Sequence, residues 1–372
     1  MLVLLLSFTP FCFAETGVVP RGIFLATHQP LSGPAKEFSD IGKSAQAYFE
    51  YVNDQGGIHG RSIYLKIVDD QLNPEMASQS ISELTVKNDV FAVFSSVGSK
   101  THQAVYPLLK QQGMPSFFVG SNLPEWTQPV RANVFGFMPT ASTEARVLGK
   151  YLSGKHAGAE LIIWYAEKPV YMRAVNALTN NLFGVSAKLL PGKSGRLTAE
   201  WELINERQPD LLIALGNFGD LMDFLKASPN LNIPVFTGHA LADSRLPEWL
   251  SSVVSAHVRV LTAYPLNVET EHPGKKLHQQ VLNEYAPRLN SSRWTLYGHA
   301  VAELMIEVLK RSGRNLTRQK AVIAAENINQ WQGKLLPPVS LDSRNHLALT
   351  SFRVSQILPG RVNHLSDWID GR

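Results

Sequence analysis

The chain has 372 residues, of which 44% are hydrophobic and 18% are charged, as in ordinary globular proteins. This length exceeds what one hydrophobic core usually holds, so we expect two lobes. The formal net charge is +4, but the basic residues are scattered and no Lys/Arg block with interleaved aromatic residues occurs. The charge therefore gives no support to a nucleic-acid-binding surface.

The chain begins with a short apolar run, which ends in Cys12-Phe13-Ala14. The run is too short to span a bilayer and ends in the residue pattern of a cleavage site, which predicts a signal peptide over residues 1–14 and a periplasmic protein. The usual basic residues before the run are missing, and a retained anchor is the alternative. Cys12 is the only cysteine, so the mature chain can form neither a disulfide nor a cysteine–zinc site.

Apolar strands alternate with amphipathic helices in the first part of the chain. Ile41, Ala45 and Phe49 recur at helical spacing, and the glycine turn Gly56-Gly57 separates this helix from the next strand. Another helix is predicted from Asn73-Pro74, because Asn caps a helix start and Pro suits the first turn. The predicted strands of this first series are Gly22–Ala26, Ile63–Val68, Val90–Phe94 and Ser116–Val119.

A second series with the same alternation follows Pro139, and a helical segment begins at Tyr264-Pro265. Strands alternating with helices predict an α/β fold in which helices flank parallel sheets. The second-series strands are predicted at Leu161–Tyr165, Val185–Leu189, Leu211–Leu215 and Val235–Thr237, with helices around Trp201–Ile204 and Leu221–Lys226. The later helices are predicted at Gly274–Tyr285, Thr295–Arg311 and Arg318–Ala325, before a β-rich tail that follows Pro337-Pro338 and has Leu347–Ile357 as its clearest strand.

Several short motifs resemble, in their order and spacing, the start of type I periplasmic binding proteins of the leucine/isoleucine/valine-binding kind, the solute receptors of ABC importers. The similarity continues more weakly to about Gly360. The motifs that carry it are Leu31-Ser32-Gly33-Pro34, Asp40-Ile41-Gly42, the Gly56-Gly57 turn, Asp69-Asp70, Asn73-Pro74 and the stretch Ser95–Thr101.

This resemblance implies two Rossmann-like lobes with parallel sheets flanked by helices, joined by a hinge of three crossovers. Lobe one would comprise residues 20–139 plus 265–338, and lobe two residues 140–264 plus 339–372. The sequence pattern without the resemblance suggests consecutive domains instead. The implied function is an extracytoplasmic solute-binding protein that captures a small organic ligand (amino-acid-like, carboxylate or amide) by hinge closure and delivers it to ABC permease subunits in the membrane.

Two loops that follow strands are candidate ligand sites. The stretch Ser95–Thr101 opens a helix, where free backbone N–H groups and hydroxyls suit a carboxylate, and Gly120-Ser121-Asn122 has the same chemistry after the next strand. Plain helix capping is the alternative for the first loop. The resemblance implies that these loops bind the ligand, but Gly98 aligns with the family's first binding serine, which leaves Ser99 and Thr101.

Three aromatic residues are candidates by resemblance. Phe38 stands where the family often places a ring over the ligand, and Tyr171 stands where a lobe-two aromatic closes on it. Phe218, in the loop after a second-series strand, is a similar candidate. Ordinary packing is the alternative role for each of the three.

The segment Thr237–Ala240 departs from the resembling family. Amino-acid receptors commonly carry an acid here that pairs with the ligand ammonium, but this chain has His239 and Ala240. An unpaired buried ammonium costs several kcal/mol, which argues against a zwitterionic amino acid. His239 suits an acceptor-rich or acidic ligand, and Asp243 and Glu167 are the acids that remain available.

Enzyme motifs do not occur. The sequence has no HExxH, no G-x-S-x-G and no G-x-G-x-x-G after a strand, so no metal or cofactor is predicted. Asp69 and Asp70 are adjacent on a strand and therefore point to opposite faces. Besides transport, two other functions stay open: a ligand-sensing regulatory module of the same fold, and an α/β enzyme with an unrecognised site. We expect a monomer or weak dimer.

Overall fold

The computed structural model describes residues 15–86, 90–193, 195–228 and 230–372. The predicted signal peptide, residues 1–14, lies outside the described residues. Within the described ranges, no helix combines the length and the apolar character needed to cross a bilayer.

Strands and helices alternate along most of the described chain, in the order expected for an α/β protein. The strands are Val18–Val19 (β1), Gly22–Gln29 (β2), Ser62–Asp69 (β3), Ala92–Phe94 (β4), Ser116–Val119 (β5), Val134–Gly136 (β6), Glu160–Ala166 (β7), Ser186–Gly192 (β8), Leu211–Leu215 (β9), Val235–Thr237 (β10), Val258–Thr262 (β11), Ser351–Leu358 (β12), Arg361–His364 (β13) and Ile369–Asp370 (β14). The α-helices are Ser39–Asp54 (α1), Pro74–Val86 (α2), Ser99–Gln111 (α3), Ala141–Lys155 (α4), Pro169–Thr179 (α5), Leu197–Arg207 (α6), Phe218–Lys226 (α7), Leu246–Trp249 (α8), Ser252–His257 (α9), Pro273–Tyr285 (α10), Arg293–Arg311 (α11) and Arg318–Glu326 (α12).

The strands form two separate sheets, each the centre of one lobe. In the first lobe β3, β2, β4, β5 and β6 are parallel neighbours in that order, and the short β1 pairs antiparallel with β2. In the second lobe β8, β7, β9, β10 and β11 are parallel, and the tail strand β12 adds antiparallel to β11. The two-lobed α/β architecture predicted from the sequence is therefore confirmed.

The glycine turn after α1 requires glycine for steric reasons. Ile41, Ala45 and Phe49 are buried on one face of α1, as their spacing predicts. The helix ends before Gly56 and Gly57, whose φ values are +96° and +66°. A Cβ at Gly57 would lie only 2.0 Å from the Arg61 carbonyl oxygen. The turn is thus a structural element that starts β3 directly after α1.

The chain returns to the first lobe after β11, where α11 packs along α1. The two helices approach so closely that a Cβ on Gly298 would lie 2.1 Å from the Ile41 carbonyl oxygen. The Ser44 hydroxyl also donates to the Thr295 carbonyl at 2.7 Å. This packing fixes the first turn of α11 at the edge of the first lobe that faces the second.

The tail strand begins later than its apolar pattern predicts. The run from Leu347 was expected to be strand throughout, but β12 starts at Ser351. Leu347 instead forms a parallel bridge with Gly136 at the edge of the first sheet, and His346 stacks on Phe135 at a ring distance of 4.0 Å. His346 and Leu347 therefore contact the first lobe, although the predicted boundary between the lobes lies after residue 338.

We predict that Gly298→Ala destabilises the protein, because the added methyl group has no room between α11 and α1. The expected loss in free energy of unfolding is about 1–3 kcal/mol. Gly154→Ala in α4 is the matched control, since its new Cβ meets no atom within 4 Å. That change is expected to stabilise by about 0.5–1 kcal/mol through helix propensity. Denaturant unfolding of both variants measures the difference, and equal effects would contradict the packing argument.

Candidate functional site

The loops after β4 and β5 come together at the carboxyl edge of the first sheet. The hydroxyl oxygens of Ser99 and Ser121 lie 2.6 Å apart, and the Gly120 amide donates to the Ser96 carbonyl at 2.7 Å. Ser99 is also the first residue of α3, so it stands beside free N–H groups of a helix start. The structure thus places Ser99, Gly120 and Ser121 in one polar surface.

The other two candidates in these loops have different surroundings. Thr101 is buried, and its hydroxyl donates to the Val97 carbonyl at 2.9 Å, so its proton is used within the helix start. Asn122 is exposed at the edge of the loop. Thr101 therefore fits the capping alternative, whereas Asn122 is free to meet solvent or a ligand.

A row of aromatic rings connects these loops with the second lobe. A Cβ on Gly120 would lie 3.1 Å from the Tyr297 hydroxyl, so this phenol lies beside the loop after β5. Tyr297 meets Phe137 edge to face at 4.8 Å, and Phe137 stacks on Tyr264 at 6.3 Å. Tyr264 in turn meets His239 at 5.5 Å. These buried rings form a continuous row from the loop after β5 to the second lobe.

His239 is a neutral ring with a defined orientation. Burial and, to a smaller extent, the charge of Arg293 lower the pKa of His239 to about 4, against the opposing effect of the Leu261 carbonyl. Nδ1 lies 3.2 Å from that carbonyl oxygen, so the neutral ring carries its proton on Nδ1. Nε2 is then an acceptor. A neutral ring in this orientation suits a ligand donor at Nε2, and the expectation that His239 serves an acceptor-rich or acidic ligand stays a prediction.

Glu144 lies beside the Thr237–Ala240 segment, which itself contains no acidic residue. Oε2 of Glu144, in the first turn of α4, lies 3.2 Å from the His239 amide nitrogen, and a Cβ on Gly238 would collide with it. Burial raises the pKa of Glu144 to about 8, against the lowering effect of the His239 N–H group. Glu144 is thus a half-buried carboxyl group with one described hydrogen bond.

The two acids suggested by the sequence are engaged elsewhere. Both carboxylate oxygens of Asp243 accept hydrogen bonds from the Arg245 guanidinium at 3.0 Å. Glu167 is exposed, with one oxygen 3.8 Å from the ammonium of Lys193. Neither offers a free carboxylate comparable to that of Glu144.

The three aromatic candidates are placed differently from one another. Tyr171 is buried, and burial, followed by the charges of Asp220 and Glu144, raises its pKa. Phe218 is 42% exposed and meets Trp249 edge to face at 5.1 Å. Phe38 is half-buried against Trp294 at 4.5 Å.

Arg293 connects the two lobes directly. It is the first residue of α11 in the first lobe, and its guanidinium donates to the carbonyl of Ala240 in the second lobe at 3.1 Å. Tyr297 follows one turn later on the same helix face. The first turn of α11 therefore reaches the loop after β5 with one side chain and the second lobe with another.

Four residues of this site were missed by sequence reasoning: Glu144, Tyr264, Arg293 and Tyr297. The available signals were local. A capping hydroxyl at Thr140 precedes Glu144, and a capping box of Ser292 with Thr295 surrounds Arg293. Such caps mark helix starts, and helix starts next to strand ends collect polar ligands.

Comparisons with known proteins agree with this architecture. Residues 22–361 match the family model described as periplasmic binding protein. No curated protein matches the chain significantly. Among solved structures, a branched-chain amino acid ABC transporter protein from Thermus thermophilus with bound valine is similar, with a TM-score of 0.73 and 15% identity over 94% of this chain and 96% of that one.

Two further solved structures show the same likeness. A fatty acid ABC transporter substrate-binding protein from Thermomonospora curvata has a TM-score of 0.71 and 18% identity over 96% of this chain and 95% of that one. An extracellular ligand-binding receptor from Verminephrobacter eiseniae has a TM-score of 0.72 and 15% identity over 92% of this chain and 99% of that one. At these identities the likeness shows the fold.

We predict that Glu144→Gln removes a pH-dependent loss of stability. The ordinary carboxyl pKa is 4.5 and the folded value is about 8. Between these values the unfolded chain loses the proton that the folded chain keeps, so stability falls as pH rises, by up to about 1.4 kcal/mol per pH unit. Denaturant unfolding of ligand-free protein from pH 5 to 8 should show a flatter profile for the variant. Glu202→Gln, at an exposed position on α6, should keep the wild-type slope.

Proposed function

We propose that this chain, which belongs to the periplasmic binding protein family, is an exported solute-binding protein that captures a small organic ligand in the cleft between its lobes. The observation that supports the proposal is the row of aromatic rings that joins polar loops of the first lobe to polar groups of the second. Ser99 and Ser121 approach it from the first lobe, and Glu144 and His239 approach it from the second. The carboxyl ends of parallel strands are also where open α/β sheets bind ligands.

The first lobe would hold the ligand through hydroxyls and backbone N–H groups. The start of α3 and the loop after β5 supply Ser99, Gly120 and Ser121, with Asn122 at the exposed edge. Thr101 would act through the backbone geometry of the helix start, since its hydroxyl proton is already donated. Phe38, which packs against Trp294, would form a further wall of the cleft on this side.

The second lobe would supply acceptors and an aromatic surface. His239 presents Nε2, Glu144 presents a carboxyl group, and Tyr171 packs beside it. An acceptor pair of this kind suits a ligand amine or other hydrogen-bond donor. Glu144 would therefore serve as the counter-charge that the sequence of the Thr237–Ala240 segment lacks. Phe218 would contribute at the outer edge of the lobe.

Ligand contacts with both lobes favour the closed arrangement over the open one, which is the basis of hinge closure. The lobes already touch where Arg293 bonds to the Ala240 carbonyl. The closed form would then be recognised by ABC permease subunits in the membrane. Membership in a family of binding proteins supports transport without chemical conversion of the ligand.

The proposal is tested by native mass spectrometry of freshly purified protein, followed by a thermal-shift screen of amino acids, amines, carboxylates and their amides. A ligand raises the melting temperature because it binds only the folded state. Small-angle X-ray scattering with and without the best compound should show a smaller radius of gyration when it is bound. A protein that carries no small molecule and responds to none of these compounds would contradict the proposal.

We predict that Glu144→Gln weakens binding of an amine-bearing ligand by roughly 10- to 100-fold, because it removes the charged partner of the ammonium group. Wild-type affinity for that ligand should rise between pH 6 and pH 8, as the Glu144 carboxyl, with its pKa of about 8, ionises. Isothermal titration calorimetry measures both effects. The variant should show no such rise, and Glu202→Gln should bind like the wild type. Equal binding by Glu144→Gln and wild type would place the amine elsewhere.

A further inference from the structure

Arg293 has hydrogen-bonding capacity that the protein itself does not use. A guanidinium has five N–H donors, and the one described hydrogen bond of this side chain goes to the Ala240 carbonyl. Within the described ranges it forms no ion pair at 4.0 Å or less. The nearest acids, Asp243 and Glu37, act on its pKa only from a distance, and Asp243 is bound on both oxygens by Arg245.

The side chain is nonetheless held in one place. Its guanidinium lies over the Trp294 ring at 4.3 Å, and that ring is fixed by edge-to-face contact with Phe38. Arg293 also opens α11, a helix of 19 residues whose start is capped by Ser292. The positive end of the helix adds to the positive charge of the side chain. A fixed, half-buried cation with spare donors is suited to an anionic group.

A second unused donor lies beside the His239-Ala240 segment that Arg293 contacts. Tyr264 is only 7% exposed, and its hydroxyl has no hydrogen-bond partner among the described residues. Burial raises the pKa of Tyr264 well above its ordinary value, so the phenol is neutral. Its ring lies 5.5 Å from that of His239, the neighbour of the Ala240 whose carbonyl accepts from Arg293. A buried hydroxyl without a partner costs free energy unless a ligand or solvent molecule accepts from it.

We infer that Arg293 and Tyr264 form a subsite for a carboxylate of the ligand, separate from the hydroxyl-lined loops that contain Ser99 and Ser121. The inference rests on the proposed function, since the subsite lies in the same cleft. Arg293 supplies the charge and up to two parallel N–H donors, and Tyr264 supplies a third. Ser99 and Ser121 in the loops after β4 and β5 offer neutral hydroxyl donors. The ligand therefore belongs to the small organic acids, and its carboxylate points towards α11.

The position of the subsite also fits that of Glu144, which lies beside the same His239-Ala240 dipeptide. The His239 amide faces Glu144, and the Ala240 carbonyl faces Arg293. A ligand that carries both an amine and a carboxylate can therefore place its two charges on either side of this dipeptide. A ligand with the carboxylate replaced by an amide keeps its shape but loses the charged contact.

The test uses matched acid and amide pairs: L-glutamate with L-glutamine, succinate with succinamate, and L-leucine with L-leucinamide. We take the pair that gives the largest thermal shift and measure its affinities by calorimetry. We expect wild-type protein to bind the acid roughly 10- to 100-fold more tightly than the amide. Arg293→Gln should bind the two compounds equally. Tyr264→Phe should lose part of the preference, and Arg293→Lys should keep part of it, because it retains the charge but not the paired donors.

Arg207→Gln is the matched control, since it removes one arginine charge from an exposed position on α6 while leaving Arg293 and its neighbours in place. It should keep the full acid preference. If Arg293→Gln keeps that preference, or if wild-type protein binds acid and amide equally, the subsite is refuted while capture of a small ligand stands. If no compound binds, both the subsite and the proposed function fail. Should Arg293→Gln not fold, an acid preference unchanged in both Arg293→Lys and Tyr264→Phe refutes the subsite.

Discussion

The close crossing of α11 over α1 is the constraint on which the cleft depends. At Gly298 the two helices leave no space for a Cβ, so their relative position is fixed by backbone contact. The first turn of α11 is therefore held rigidly at the rim of the first lobe. From there Arg293 reaches the second lobe and Tyr297 reaches the loop after β5. A side chain larger than hydrogen at position 298 would move both groups at once.

Sequence patterns predicted the strands that are buried on both faces. The runs Ser116–Val119, Leu211–Leu215 and Val235–Thr237 coincide with β5, β9 and β10, because central parallel strands are continuously apolar. The strands β6 and β11 were not predicted. The first is three residues long and ends in Gly136, and the second contains Arg259, so neither shows a clear apolar run. The predicted strand from Leu347 begins only at Ser351, since a bridge to the first sheet takes its first residues.

The candidate site was only partly predictable for a related reason. Loops that follow strands can be located from topology, and Ser99 and Ser121 do come together. The charged residues Glu144 and Arg293 could not be located in this way, because each contacts a segment that is distant in the sequence. Glu144 precedes the residue it contacts by 95 positions, and Arg293 follows Ala240 by 53. No local pattern records such pairs. The sequence of the Thr237–Ala240 segment, which contains no acid, therefore gave no sign of the carboxyl group of Glu144 beside it.

The two charges differ in how they respond to movement of the lobes. Glu144 and His239 belong to the same lobe, so their contact persists when the cleft opens. Arg293 and Ala240 belong to different lobes, so their hydrogen bond exists only while the lobes touch. A carboxylate at Arg293 would keep the guanidinium beside the second lobe and would thus favour closure, whereas an amine at Glu144 binds one lobe alone. For a ligand with both groups, closure would therefore depend more on its acidic end than on its basic end.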